Sequence, residues 1–185
     1  MKRLRLSQRR IYLIIVTAII FTGCLPFGAT RVKSPELEIQ RTLDDFLILE
    51  TQHIYFLTAD WTITDIERIA NRTYADVVTI NGEPISREEL LDMHREAWQV
   101  WEQLDEKAKD DLRSQLEENK FIMEFREQKI FVSTSKNRAI AQGILYGGLL
   151  LPSGEPIEEM LIPFWIELKR VNETWKIAEV TELQH

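Results

Sequence analysis

The sequence predicts an α+β domain whose N-terminal helices pack on one face of an antiparallel sheet. Two observations carry that prediction. From Ser34 to about Asn119, apolar residues recur at three- and four-residue steps behind helix-capping signals, the mark of amphipathic helices. Beyond Phe125 the period shortens, and four apolar segments are joined by short, turn-rich links, so neighbouring strands should pair in an antiparallel meander. Helices first and sheet afterwards is the order of an α+β domain. A chain of 185 residues fits one such domain.

The first 23 residues belong to a different segment. Met1 to Arg10 carries five basic residues (Lys2, Arg3, Arg5, Arg9, Arg10) and no acid. Ile11 to Thr22 is an apolar run, shorter than the roughly 20 residues of a spanning helix and suited to a signal-peptide core. It ends in Phe21-Thr22-Gly23-Cys24, which contains the chain's single Cys. This order resembles the lipobox of bacterial lipoproteins, with Phe21 where that pattern usually has Leu. The resemblance implies acylation of the Cys24 thiol, cleavage before Cys24, and anchoring by more than one acyl chain, which makes a stable anchor. Leu25, not an Asp, follows the Cys, which by the same resemblance implies the cell envelope and, in a host with an outer membrane, its periplasmic side. The expected division is 1-23 signal peptide, 24-34 lipidated tether and 35-185 folded domain.

Charge and composition narrow the function. Lys and Arg number 23 against 30 Asp and Glu, for a net charge of −7. Removing residues 1-23 with their five basic groups leaves 18 basic against 30 acidic residues. A strongly acidic surface excludes general nucleic-acid binding, which needs basic groups to displace counterions. One Cys makes no internal disulfide and no zinc site by itself. His53, His94 and His185 lack ligand spacing, so neither a metal nor a cofactor is expected.

Ser34-Pro35 reads as a helix start, with an N-cap and Pro at the first turn. The helix is expected to reach about Ala59, with Ile39, Leu43, Phe46, Leu47, Ile54 and Leu57 on its apolar stripe. Thr64-Asp-Ile-Glu67 reads as a capping box opening a short helix to about Arg72. Val77 to Ile80 reads as a short strand closed by the turn Asn81-Gly82. Ser86-Arg-Glu-Glu89 is a second capping box, opening a helix with the stripe Leu90, Ala97, Trp101, Leu104, Ala108 and Leu112. That helix continues to about Asn119 or breaks near there. The four long strands are read as Phe125–Thr134, Arg138–Leu151, Ile157–Arg170 and Thr174–Leu183. In the third, Met160, Ile162, Phe164, Ile166 and Leu168 share one face, while Leu161, Pro163, Trp165, Glu167 and Lys169 share the other.

Three segments, Ala59-Asp60-Trp61, Tyr74 to Gly82, and Phe164 to Arg170 followed by Thr174 to Val180, occur in an order that resembles the NTF2-like cone, including its SnoaL-like branch. The resemblance spans roughly residues 36 to 183. It implies N-terminal helices packed on a strongly bent antiparallel sheet around a pocket. It also implies a homodimer through the exposed sheet face, where Leu161 and Trp165 stand. Ketosteroid-isomerase-like members place a catalytic Asp where this chain has Gly82 and a Tyr near Gln52, so that route to isomerase chemistry is missing. Asp76 reads as a strand-start or turn acid.

Glu50 is the first candidate for a site. At about 100° per residue it falls about 20° from Leu43, inside the apolar stripe. A carboxyl facing the sheet would have its pKa raised by desolvation, as a general acid or base needs. A Glu whose head reaches water or pairs with an Arg is the other reading. His53 lies three residues on, within helical reach. His94 lies in the stripe of the later helix, either as a core His with one hydrogen bond or as a pocket base or ligand donor. Trp98 and Trp101 are read as core or as the rim of a pocket. The phosphate-loop, dinucleotide, nucleophile-elbow and zinc-protease motifs are all missing. The leading expectation is a lipid-anchored, non-catalytic binding or accessory domain that holds a small apolar or amphipathic ligand or another copy of itself. The alternatives are a lyase or isomerase using Glu50 with His53 or His94, and an assembly module using the long acidic helix.

Overall fold

The computed structural model describes residues 34-58 and 61-183. The signal sequence, Cys24, the tether up to Lys33, Ala59, Asp60 and His185 lie outside the described residues.

Helix α1 (Pro35–Glu50) starts as the sequence indicates. The Ser34 side chain accepts the Leu37 N–H, and Pro35 occupies the first turn. The helix stops at Thr51 instead of running to Ala59. The Thr51 hydroxyl donates to the Leu47 carbonyl at 2.7 Å, and a separate helix, α2 (Gln52–Thr58), follows. Helix α3 (Ile63–Thr73) opens two residues earlier than the Thr64–Glu67 reading. Its box is Thr62 with Asp65, whose carboxylate accepts the Thr62 N–H and hydroxyl. Strand β1 (Tyr74–Ile80) turns at Asn81-Gly82, both at positive φ, into a short strand β2 (Glu83–Ser86) absent from the sequence reading.

The Ser86–Glu89 capping box opens α4 (Arg87–Gln103) as expected. The chain breaks at Leu104, and Asp105 caps α5 (Glu106–Glu118), none of whose residues is buried. The expected stripe is therefore interrupted: Leu90 is buried, whereas Ala97 and Leu112 are exposed. The four long strands are β3 (Lys120–Val132), β4 (Arg138–Leu150), β5 (Pro156–Val171) and β6 (Thr174–Glu182). β3 begins five residues before the sequence reading.

The sheet order is β2-β1-β6-β5-β4-β3. The meander β3 to β6 is antiparallel as expected. The sheet as a whole is mixed, because β1 lies parallel to β6. Short links could not reveal this pair, since β1 and β6 are about 100 residues apart. The sheet is strongly curved, and bulges contribute to the curvature. In β3, Glu127 takes a positive φ where the register with β4 shifts. In β6 a second shift falls opposite Glu167 and Leu168.

Directly paired residues share a face, so the ladders define the core. Phe164, Ile166 and Leu168 of β5, Ala139 and Ala141 of β4, and Trp175 and Ile177 of β6 are buried. Against them pack Ile39, Leu43, Phe46 and Leu49 of α1, with Ile66 and Ile69 of α3 and Leu90 and Leu91 of α4. Met160, at the far end of the β5 row, is exposed. Thr42 ties the layers together by donating to the Trp175 carbonyl at 3.2 Å.

Two glycines on β4 separate backbone crowding from side-chain crowding. A Cβ on Gly143 would lie 2.7 Å from the Arg126 carbonyl oxygen, beside the bulge. A Cβ on Gly147 would meet only side chains, nearest the flexible ends of Met160 at 3.1 Å and Met123 at 3.6 Å. Gly143→Ala is expected to cost about 2 kcal/mol or more. Gly147→Ala is expected to stay within about 1 kcal/mol of wild type. Urea titrations of the two variants check the contrast, and equal stabilities would contradict it.

Candidate functional site

The last residue of α1 and the last residue of β6 approach one another at one end of the cone. Glu182 pairs with Phe164 in the β5–β6 ladder, which puts it on the helix-facing side of the sheet, two residues beyond Val180 on the same face. The Glu182 N–H donates to Asn81 Oδ1 at 2.9 Å, so the β1–β2 turn fixes this strand end. Glu50 projects from the end of α1. Its carboxyl is pushed up to about 7, first by desolvation and then by the Glu182 charge. Glu50 as a whole is nevertheless exposed. Surface and shift agree if one edge of the side chain lines an open mouth while the carboxyl is crowded by protein. Water at that edge moderates the shift, and its direction remains upward.

Tyr74 lies near Glu50, and His94 lies against Tyr74. Tyr74 is 3% exposed, and its hydroxyl pKa is raised first by burial and then by the Glu50 charge. The Tyr74 ring stacks near-parallel on His94, with centroids 6.3 Å apart. His94 is 8% exposed, and its Nε2 is buried without a hydrogen-bond partner. Burial lowers its pKa and keeps the imidazole neutral, one nitrogen a donor and the other an acceptor. The Gln52 Oε1 atom is also buried without a partner. Such atoms cost free energy unless something satisfies them.

His53 does not join this group. The break at Thr51 ends the helical register with Glu50, and His53 is exposed, edge-on to Phe121 at 6.3 Å. No hydrogen bond links it to Glu50 among the described residues. Trp98 packs edge-on against Phe56 at 4.7 Å, and Trp101 lies under Lys109 at 5.5 Å. Both pack on the core cluster and are half-buried. Asp76 pairs with Arg87 at 3.0 Å on the surface. Arg126 and Arg138 pair with Glu124 and Glu167, and neither holds Glu50. Two hollows of about 500 and 540 Å³ flank α1, and neither is lined by Glu50, His53 or His94.

Sequence reasoning missed Tyr74, Glu182 and Gln52 as site residues. The signal for Glu182 was its register two residues past Val180 on the inner face. That signal needed the β5–β6 pairing to become visible. Among the described residues, no three His, Cys, Asp or Glu side chains gather as a metal ion requires.

No protein-family model and no curated protein matches the sequence. Solved structures do resemble it. One is an NTF2-like protein of unknown function in nutrient uptake from Rhodospirillum rubrum, at 11% identity over 78% of this chain and 95% of that one, TM-score 0.44. Another is an NTF2-like protein from Cytophaga hutchinsonii, at 9% identity over 77% and 98%, TM-score 0.41. The fold itself is read from the chain's own element order and sheet topology: an α+β cone of NTF2-like form, with its helices on a strongly curved mixed sheet.

A raised carboxyl pKa has a signed consequence. A folded pKa of about 7 against an ordinary 4.5 means the fold favours protonated Glu50. That stability is present below the ordinary value and is lost as pH rises through about 7. Glu50→Gln should therefore leave stability near wild type at about pH 4 and raise it relative to wild type at about pH 8. Paired urea titrations read this, and a variant that is less stable at the higher pH would refute it.

Proposed function

We propose that this chain is a lipid-anchored envelope protein whose cone binds a small ligand without transforming it. One observation carries the binding reading: among the described residues the His94 Nε2 is buried without a hydrogen-bond partner, its ring against Tyr74. A buried polar group without a partner is what a pocket supplies for a ligand's polar end. The apolar walls from Phe56, Trp98 and Phe164 suit a small, mainly apolar molecule. Anchoring rests on the basic, apolar, Gly-Cys order of residues 1-24, with the acyl chains on Cys24 holding the domain at the membrane. A homodimer through the outer sheet face completes the proposal. Leu161 and Phe131 are exposed there, and Arg126 stacks over the Tyr146 ring at 3.3 Å.

A second reading, acid–base chemistry by Glu50 and His94, is favoured by the Glu50 pKa, since a carboxyl near 7 serves either as donor or as acceptor at neutral pH. Native mass spectrometry of the full-length protein tests the binding reading. The expected spectrum shows a co-purified small molecule of constant mass on a dimer. A bare protein, with no ligand recovered, contradicts it. For the anchor, Cys24→Ser is expected to abolish labelling by radioactive palmitate and leave an uncleaved precursor. Unchanged labelling would overturn the anchor.

A further inference from the structure

The sheet ends in two edges, β2 and β3. Strand β2 is short and carries Pro84, and both features blunt an edge. The first part of β3, Lys120 to Arg126, is not blunted in this way. It runs in unbroken register beside β4 until the bulge at Glu127. Among the described residues, no backbone hydrogen bond joins it to any element but β4. The hollow of about 540 Å³ opens along this stretch, between it and the helices α1 and α2, with Leu47, Ile48, Ile54, Phe121 and Met123 on its walls. All five side chains are half-buried, so an apolar wall and a row of unpaired backbone groups lie side by side.

We propose that this edge pairs with the same edge of a second copy of the chain, antiparallel, about a two-fold axis at Ile122. Charge selects both the occupant and the register. About that axis Lys120 stands opposite the partner's Glu124, Phe121 opposite the partner's Met123, and Ile122 opposite the partner's Ile122. Opposite charges then meet at both ends of one face, and apolar side chains meet on the other. An axis at Met123 would set Lys120 against the partner's Arg126, and an axis at Glu124 would set that carboxylate against its own equivalent. Like charges directly opposite are destabilising, so neither register competes. Lys120 forms no ion pair within its own chain among the described residues. A foreign peptide would have to bring a base and an acid at this same spacing, and a small molecule would leave the backbone groups of the edge unpaired. The paired stretch is short, so the contact is weak and forms at high protein concentration. It is separate from the outer-face homodimer and does not depend on the ligand-binding reading.

The test is carbodiimide cross-linking of the concentrated full-length protein, with unlabelled and nitrogen-15-labelled chains mixed in equal parts. Along one strand Lys120 and Glu124 are about 13 Å apart, too far for a direct amide link, whereas across the proposed pair they are neighbours. The expected product is a mixed-isotope peptide joining Lys120 of one copy to Glu124 of the other. In Ile122→Cys, mild oxidation should join the two copies by a disulfide at residue 122, which peptide mapping locates. Adding Glu124→Lys sets cation against cation at both ends and should lower the disulfide yield about tenfold. Adding Lys120→Glu as well should restore the yield, which simple damage to the fold would not do. Links confined to one copy, no link at all, links from Lys120 to a different carboxylate, or a disulfide yield indifferent to charge reversal would each overturn the proposal.

Discussion

The whole structure depends on the burial of one face of α1 against the inner face of the curved sheet. Ile39, Leu43 and Leu49 are almost wholly buried there, against Ile166, Leu168 and Ile177. Each such side chain contributes roughly 1.5–3 kcal/mol on leaving water, so this interface is a major source of stability. The sheet must curve to meet a helix lying across it. The β3 bulge at Glu127, with Gly143 close against the bulged backbone, helps it to do so. Thr42, which bonds the Trp175 carbonyl, fixes where the helix sits along the sheet.

That interface also explains why a polar cluster forms where it does. The apolar stripe of α1 runs out at Leu49, and the helix stops at Thr51. Glu50 therefore leaves the packed region at the point where β6 ends in Glu182 and β1 begins with Tyr74. Helix α4 brings His94 against Tyr74 from the other side. Burial shifts Glu50, Tyr74 and His94 towards their uncharged forms, and the Glu182 charge pushes Glu50 further upward.

Most local signals in the sequence were strong and were read correctly, although the box read at Thr64–Glu67 lies at Thr62 and Asp65. Ser34-Pro35, Ser86 with Glu89, and Asn81-Gly82 each act over two to four residues, and each forms the predicted cap or turn. The breaks at Thr51 and Leu104 were not legible, because apolar spacing continues across both and no Gly or Pro marks them. Strand β2 has only four residues and no alternation to betray it. The parallel pairing of β1 with β6 joins distant segments, which local periodicity does not register. For the site, the helical phase of Glu50 pointed to the right carboxyl. The same phase argument extended to His53 failed, because it assumed one continuous helix. Tyr74 and Glu182 depended on strand register, which only tertiary pairing defines.

The account turns on Glu50 sitting among protein atoms and beside a second carboxylate. Carbon-13 NMR titration of the Glu50 side-chain carboxyl measures this directly, with Glu50→Gln identifying the resonance. The structure predicts a midpoint near 7, moved downward in Glu182→Gln as the neighbouring charge is removed. A midpoint at the ordinary carboxylate value of about 4.5, unmoved by Glu182→Gln, would contradict it.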